Sequence, residues 1–367
     1  METSTTQKEK IHFVDLYAQH AEVREEINAV IADILDTSSF IGGDAVTNFE
    51  QEFAQFLGVQ EVIGVGNGTD ALWLALFAAG VGTGDVVITV PNTFIATVEG
   101  ITRTGAHPLF VDIDLETANL SPRALEEFLV SQCTVRGNGR LVHRDTGYRV
   151  AAVVPVHLYG LMADMAPILE ICNSYGLTLI EDACQAHGAA YAMNGEWKMA
   201  GGFGAAAAFS FYPGKNLGAI GDAGAVATND PNMAARMRML RNHGSSEKYI
   251  HVSSNGWNAR LDAIQAAVLS VKLKKLDFWN DCRRQSAQQY SRLLTGLPLE
   301  LPVEPAHSKH VYHLFVVRTE ERDRLRNALS AHKIETGIHY PIPLHLQKAY
   351  AWMGYSPGKF PNAELFA

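Results

Sequence analysis

Apolar residues in this chain fall into short runs closed by turn residues, separated by longer stretches with a helical repeat. EVIGVG (61–66), DVVITV (85–90), HPLFVDI (107–113), VAAVVPVHL (150–158) and LTLIE (177–181) each predict a strand. These runs are largely apolar throughout rather than alternating, which suits strands covered on both faces. Thr69–Ala79 is rich in Ala and Leu and free of Gly and Pro, so it predicts a helix; Phe94–Thr104 and Asp164–Tyr175 predict two more. Strand alternating with helix indicates an α/β fold with a mainly parallel sheet. AAAAFSFY (205–212) and GAVAT (224–228) are expected to close that sheet as a hairpin. Residues 11–35 predict a short strand and an amphipathic helix, and the polar, Gly-containing stretch 131–145 reads as a surface loop.

The pattern changes near residue 255. Leu261–Trp279 predicts one long connecting helix, YHLFVVR (312–318) a strand, and Glu321–His332 another helix. The expected organisation is a large domain over 11–255, then the connecting helix and a smaller C-terminal α+β domain over 256–367. A chain of 367 residues is long enough to bury the cores of both.

Charge and cysteine content narrow the function. With 30 Lys+Arg against 39 Asp+Glu the net charge is −9, so no global attraction to nucleic acid is expected. Any phosphate must be gripped locally. The cysteines, Cys133, Cys172, Cys184 and Cys282, form no CxxC pair, so neither a disulfide framework nor a metal site is expected. METSTTQKEK at the start is polar, and no apolar run reaches the roughly 18 residues of a membrane helix. The expectation is a soluble, cytoplasmic protein with no membrane partner.

Three features carry chemistry. GNGTD (66–70) follows a predicted strand and opens a helix, where free amides and the positive end of the helix dipole suit a phosphate. The alternative is an ordinary Gly-rich turn capped by Thr69 or Asp70. Glu181-Asp182 ends a very apolar strand, a position where ligands of parallel sheets lie. A carboxylate there is partly desolvated and calls for a cationic partner, unless Asp182 caps the next helix instead. FSFYPGKNLG (209–218) puts Ser210 at a strand end and Lys215 in a tight turn within apolar surroundings. A lysine so placed has a lowered pKa and can form a Schiff base, although most lysines are simply solvated. A phosphate cradle, a carboxylate and an imine-forming lysine together match pyridoxal 5′-phosphate. Phe94, in the turn PNTF, is a suitable ring to lie against it.

The segments GNGTDALWLAL, PNTFIATVEGITRTGAHPLFVDID, IEDACQAHGA, FSFYPGKNLGAIGDAGAV, LRNHGSSEKY and GWNARLDAIQAAVL resemble the DegT/StrS-type nucleotide-sugar aminotransferases, which are fold-type I pyridoxal-phosphate enzymes. The resemblance runs from about Val14 to Tyr350. It implies that Lys215 takes the cofactor aldehyde and then shuttles protons, and that Asp182 pairs with the pyridinium nitrogen. It implies that Gln185 reaches the ring hydroxyl and that Phe94 stacks on the ring. Thr69, the amides of Gly68 and Asp70, and Ser210 are implied to hold the phosphate, with Asn258 supplied by the second subunit of a homodimer with shared active sites. A related dehydratase branch carries His in place of the lysine, so Lys215 favours transamination, with pyridoxamine 5′-phosphate as the intermediate form. The lysine loop is most similar to that of enzymes acting on the C3 ketone of dTDP-6-deoxyhexoses; those acting at C4 more often carry His at the place of Tyr212 and Glu near Asp222. The implied substrates are a dTDP-3-keto-6-deoxyhexose and L-glutamate. Tyr191, His313, His339 and Tyr340 are candidate substrate contacts, and Arg241 and His243 are candidates for the mouth of the site. The resemblance also implies a further segment beyond AELF (363–366), so the smaller domain is expected to be incomplete.

Overall fold

The β-branched and alanine-rich runs build one nine-stranded sheet in this computed structural model, which describes residues 10–137 and 139–367. Residues 1–9, most of the polar start, and Asn138 lie outside the described residues. The strands are β1 (Glu61–Val65), β2 (Asp85–Thr89), β3 (His107–Phe110), β4 (Cys133–Val135), β5 (Leu141–His143), β6 (Arg149–Val153), β7 (Thr178–Asp182), β10 (Ala206–Ser210) and β11 (Gly224–Thr228); β8 (Ala190–Met193) and β9 (Glu196–Met199) form a separate hairpin. Their order is β1-β11-β10-β7-β6-β2-β3, with β4 and β5 appended beside β6. The run β10-β7-β6-β2-β3 is parallel, and β11 pairs antiparallel with both β10 and β1. The expected closing hairpin of a mainly parallel sheet is therefore present.

Helices cover both faces. In chain order they are α1 (Leu16–Ala21), α2 (Arg24–Thr37), α3 (Asp44–Leu57), α4 (Gly68–Ala78), α5 (Ala96–Arg103), α6 (Pro122–Gln132), α7 (Met165–Tyr175), α8 (Pro231–Leu240), α9 (Ala263–Leu273), α10 (Leu276–Leu294), α11 (Arg322–Ala331) and α12 (Pro361–Phe366). Strand periodicity sends alternate residues to opposite cores. Ile63, Ile180, Ala208 and Val226 pack with Leu72 and Leu74 of α4, whereas Leu179, Phe209 and Ala225 pack with Phe49 and Phe53 of α3. Helix α4 is buried nearly all round, as its continuous apolar sequence requires.

Three expectations fail. The stretch 131–145 is not merely a loop: β4 and β5 form a hairpin within it, and Leu141, Val142 and His143 are buried against the sheet. The long connecting helix breaks at the exposed Lys274 and Lys275, so that α9 and α10 bury Leu273 and Leu276 in separate helices. YHLFVVR makes no strand. The loop at 158–160 takes Leu314 instead, whose N donates to Tyr159 O, and Val311 N, just ahead of the segment, donates to Gly160 O. The C-terminal region contributes the short strand Ser308–Lys309, which pairs with β8.

Candidate functional site

Register brings the three sequence features together. Ser210 is level with Gly224 and Gly224 with Val65, while Ala208 is level with Asp182. The GNGTD turn, Asp182 and the lysine loop therefore meet at the carboxyl ends of the parallel strands, where ligands of open α/β sheets sit.

The cap of α4 is neither Thr69 nor Asp70. Asn67 caps it, accepting the Asp70 amide at 2.8 Å and donating to Asp70 Oδ2 at 3.0 Å. The Asp70 amide is thus engaged, while helix geometry leaves those of Gly68 and Thr69 without an intrahelical acceptor. Burial raises the Asp70 pKa, opposed by Arg103 and Asn67. Space above the amides is kept open by Gly68: a Cβ there would stand 2.6 Å from Ser210 Cβ and 3.1 Å from Ser210 Oγ. Gly68→Ala is expected to push Ser210 aside and weaken cofactor retention about tenfold, since overpacking typically costs about 1–3 kcal/mol. Absorbance of the retained cofactor after dialysis measures this, and unchanged retention removes the cradle assignment.

The adjacent carboxylates of β7 point to opposite faces. Glu181, fully buried, accepts from His157 Nε2 at 3.0 Å and from the amides of Gly201, Phe203 and Gly204 at 2.8–2.9 Å. Burial opposes its charge, yet His157 and these amides outweigh it and hold the pKa below the ordinary value. Glu181 is a structural anion. Asp182 faces the site: Oδ2 accepts Thr97 Oγ1 at 2.7 Å, Oδ1 accepts the Cys184 amide at 3.2 Å, and Thr97 is backed by Thr93 at 2.7 Å. Among the described residues β7 is followed directly by a turn and then β8, so Asp182 caps no helix. Each oxygen keeps a lone pair for a further donor.

Lys215 sits in a loop closed by Ala219 N to Phe211 O and Lys215 N to Tyr212 O, both 2.8 Å. The loop is fastened from α9, where Lys272 Nζ donates to Gly218 O at 2.5 Å and Gln265 Oε1 accepts Ile220 N at 3.0 Å. Burial lowers the Lys215 pKa, opposed by Cys184 and Asp182. A desolvated amine, a carboxylate with spare lone pairs and a glycine-cleared pair of amides fit the aldehyde, ring nitrogen and phosphate of the cofactor that the sequence implied.

The other candidates divide. Gln185 Oε1 accepts the Tyr159 amide at 2.8 Å and its Nε2 donates to Tyr340 Oη at 3.1 Å. Tyr340 in turn lies 6.0 Å from the exposed ring of Phe94, and its hydroxyl pKa is pushed up to about 12, mainly by burial. His339 stacks on Phe13 at 5.6 Å, and burial and Lys215 lower its pKa. His313 is turned inward onto Asn216. Tyr191 is not gathered with these groups: its hydroxyl is taken by Asp164 at 2.5 Å, and its ring packs 4.9 Å from His307. Arg241 does not line the mouth either; it is bound to the buried Glu50 and, at 2.6 Å, to Gly64 O. His243 is exposed, its carbonyl meeting the His251 ring at 2.9 Å. Asn258 is exposed on a segment bridged to Asn242, facing outward from the chain. Thr97, Tyr159, Asn216 and His187 were not anticipated. Thr97 stands one turn beyond Phe94 in PNTFIAT, a hint only once the turn is known to reach Asp182.

The DegT/DnrJ/EryC1/StrS aminotransferase family matches residues 21–367. The chain belongs to this family. As a DegT/DnrJ/EryC1/StrS protein it is an aminotransferase, and its cofactor is pyridoxal 5′-phosphate. It is 43% identical to dTDP-3-amino-3,4,6-trideoxy-alpha-D-glucose transaminase of Streptomyces venezuelae, over 100% of this chain and 91% of that protein. It is 42% identical to UDP-N-acetyl-3-dehydro-alpha-D-glucosamine 3-aminotransferase of Acidithiobacillus ferrooxidans, over 94% of this chain and 88% of that one. A crystal structure of S. venezuelae DesV in complex with a ketimine intermediate superposes with a TM-score of 0.89 at 44% identity, covering 98% of this chain and 91% of the other. Among the described residues no helix is long and apolar enough to cross a membrane.

Proposed function

We propose that this aminotransferase moves the amino group of L-glutamate to the C3 ketone of a dTDP-3-keto-6-deoxyhexose, giving a dTDP-3-amino-3,6-dideoxyhexose and 2-oxoglutarate. The carrying observation is the meeting of Lys215, Asp182 and the Gly68–Ser210 cradle at one sheet edge. The names of the two relatives support the position on the sugar, since both refer to carbon 3.

Gly68, Thr69 and Ser210 would hold the phosphate, Asp182 the ring nitrogen, and Phe94 one face of the ring. Bound there, the cofactor supplies an aldehyde that carries the amino group and a ring that takes up electrons. With the cofactor held there, Lys215 Nζ would accept the proton from Cα of glutamate and later deliver a proton to C3 of the sugar. Thr97 and the Cys184 amide keep the Asp182 carboxylate aimed. Gln185 holds Tyr340, and through it the loop beside Phe94, over the site. The enzyme acts as a homodimer in the cytoplasm, with Asn258 completing the partner's phosphate site. The outward Asn258 and the exposed Trp257, Ile41 and Phe40 support that arrangement.

The purified enzyme given glutamate and dTDP-3-keto, dTDP-4-keto or UDP-3-keto sugars in parallel is expected to show its highest kcat/KM with the first. Release of 2-oxoglutarate is the readout. Faster turnover of a UDP or 4-keto sugar overturns the assignment.

A further inference from the structure

The loop that carries Lys215 is closed at its neck by one peptide unit. Ala219 N donates to Phe211 O at 2.8 Å, and Lys215 is the middle residue of the loop so closed, four positions from either end. The carbonyl of the same peptide, Gly218 O, accepts Lys272 Nζ at 2.5 Å. The neck is cramped as well: a Cβ on Gly218 would fall on the Pro213 carbonyl, so the two ends of the turn lie against each other. A charge at one end of a peptide strengthens the hydrogen bond made from its other end. Lys272 thereby tightens the bond from Ala219 to Phe211. The remaining fastenings, Asn216 to Asn280 and Val311, and Ile220 to Gln265, join neutral groups.

Lys272 is itself fully buried on α9. An ammonium has three donors and no lone pair, so His20 Nε2, 3.2 Å away, must accept from it. The half-buried His20 ring stays neutral, since burial and then the Lys272 charge lower its pKa. The ring of Trp279 lies 5.9 Å from Nζ, and its indole N–H is held by Glu22 Oε2 at 3.0 Å. Among the described residues no carboxylate pairs with Lys272, and burial alone lowers its pKa, to about 8, so at neutral pH the amine is charged. A cation buried without a counter-ion costs a fold stability. Packing therefore does not account for it, whereas a peptide to be held in place does.

We propose that Lys272 is a positioning residue for Lys215: clamped between His20 Nε2 and Gly218 O, it fixes the neck of the loop and with it the place from which Lys215 Nζ reaches the reacting carbon. Through these two hydrogen bonds α1, far from Lys215 in the chain, bears on the catalytic loop.

The inference rests on the aminotransferase reading, so the wild-type enzyme is tested first. Uptake of pyridoxal 5′-phosphate by the apoenzyme, seen as absorbance near ~420 nm, and release of 2-oxoglutarate from glutamate establish that reading. If either is missing, it is the reading that fails. Lys272→Met then keeps most of the side chain's length and removes its charge and donors. It is expected to slow both cofactor capture and kcat by about tenfold to a hundredfold, with KM for the sugar unchanged, because small misplacements of a reacting group cost that much. His20→Leu and His20→Gln act from the other side of the clamp and leave Lys272 in place. The glutamine amide can put an acceptor where Nε2 stands, and the leucine cannot. His20→Leu is expected to lose about threefold to tenfold in the same two rates, the worth of one hydrogen bond, and His20→Gln to stay near the wild type. Wild-type rates in Lys272→Met, measured well below its Tm, overturn the proposal, as does a rise in KM without a loss of kcat. Equal rates in the two His20 variants overturn it whether or not Lys272→Met folds.

Discussion

Replacing Lys215 by alanine is expected to abolish transamination, and the variant is expected not to develop the ~420 nm absorbance on adding pyridoxal 5′-phosphate. No neighbouring group can substitute for it. Lys272, on α9, is committed to Gly218 O, and Cys184 is held protonated because burial and Asp182 raise its pKa well above the ordinary thiol value. The direction of the Lys215 shift matters here. Burial disfavours the ammonium form, so the neutral amine that attacks an aldehyde is more abundant at a given pH than for a solvated lysine. Glutamate-dependent release of 2-oxoglutarate by Lys215→Ala would refute the assignment. The same variant also tests the shared site. Mixed with Asn258→Ala, it is expected to regain roughly a quarter of wild-type activity, because half of randomly formed dimers carry one intact site of two. No recovery means that Asn258 serves its own subunit.

Asp182→Ala is expected to lower kcat by about a hundredfold or more, the usual effect of removing a preorganised charge from a buried site. The loss arises in two ways. The ring nitrogen loses its anionic partner, and Thr97 and the Cys184 amide lose their acceptor, which adds about 1–3 kcal/mol of destabilisation. Steady-state kinetics together with a thermal melt separate these contributions: the kcat loss should persist at temperatures well below the variant's Tm. Near-normal turnover would remove Asp182 from the mechanism.

The sequence is most legible where the segments that converge are marked locally. GNGTD, Asp182 and the Ser210–Lys215 loop were identifiable because each places a distinctive residue type at the end of an apolar strand, and strand ends converge in a parallel sheet. It failed where a role depends on partners remote along the chain. Thr97 reaches Asp182 across 85 positions, Asn216 meets Asn280 across 64 and His313 across 97. No periodicity announces such pairings. The resemblance made Tyr191 a candidate substrate contact, yet Asp164 holds its hydroxyl. The C-terminal strand prediction failed for a related reason: YHLFVVR is apolar enough for a sheet, but its Leu314 amide goes to Tyr159 O and its Arg318 pairs only with Glu300.

The opposed directions of Glu181 and Asp182 make this centre intolerant of slippage. Sliding β7 by one position against β10 would exchange the two acids. The longer one would then occupy the cleft without its three amides and His157, and the shorter one would be stranded against Gly201 without reaching them. Insertions or deletions in that strand should therefore be lethal to both folding and chemistry, and so should those in the turn that follows it, where the Cys184 amide and Gln185 are spent on Asp182, Tyr159 and Tyr340.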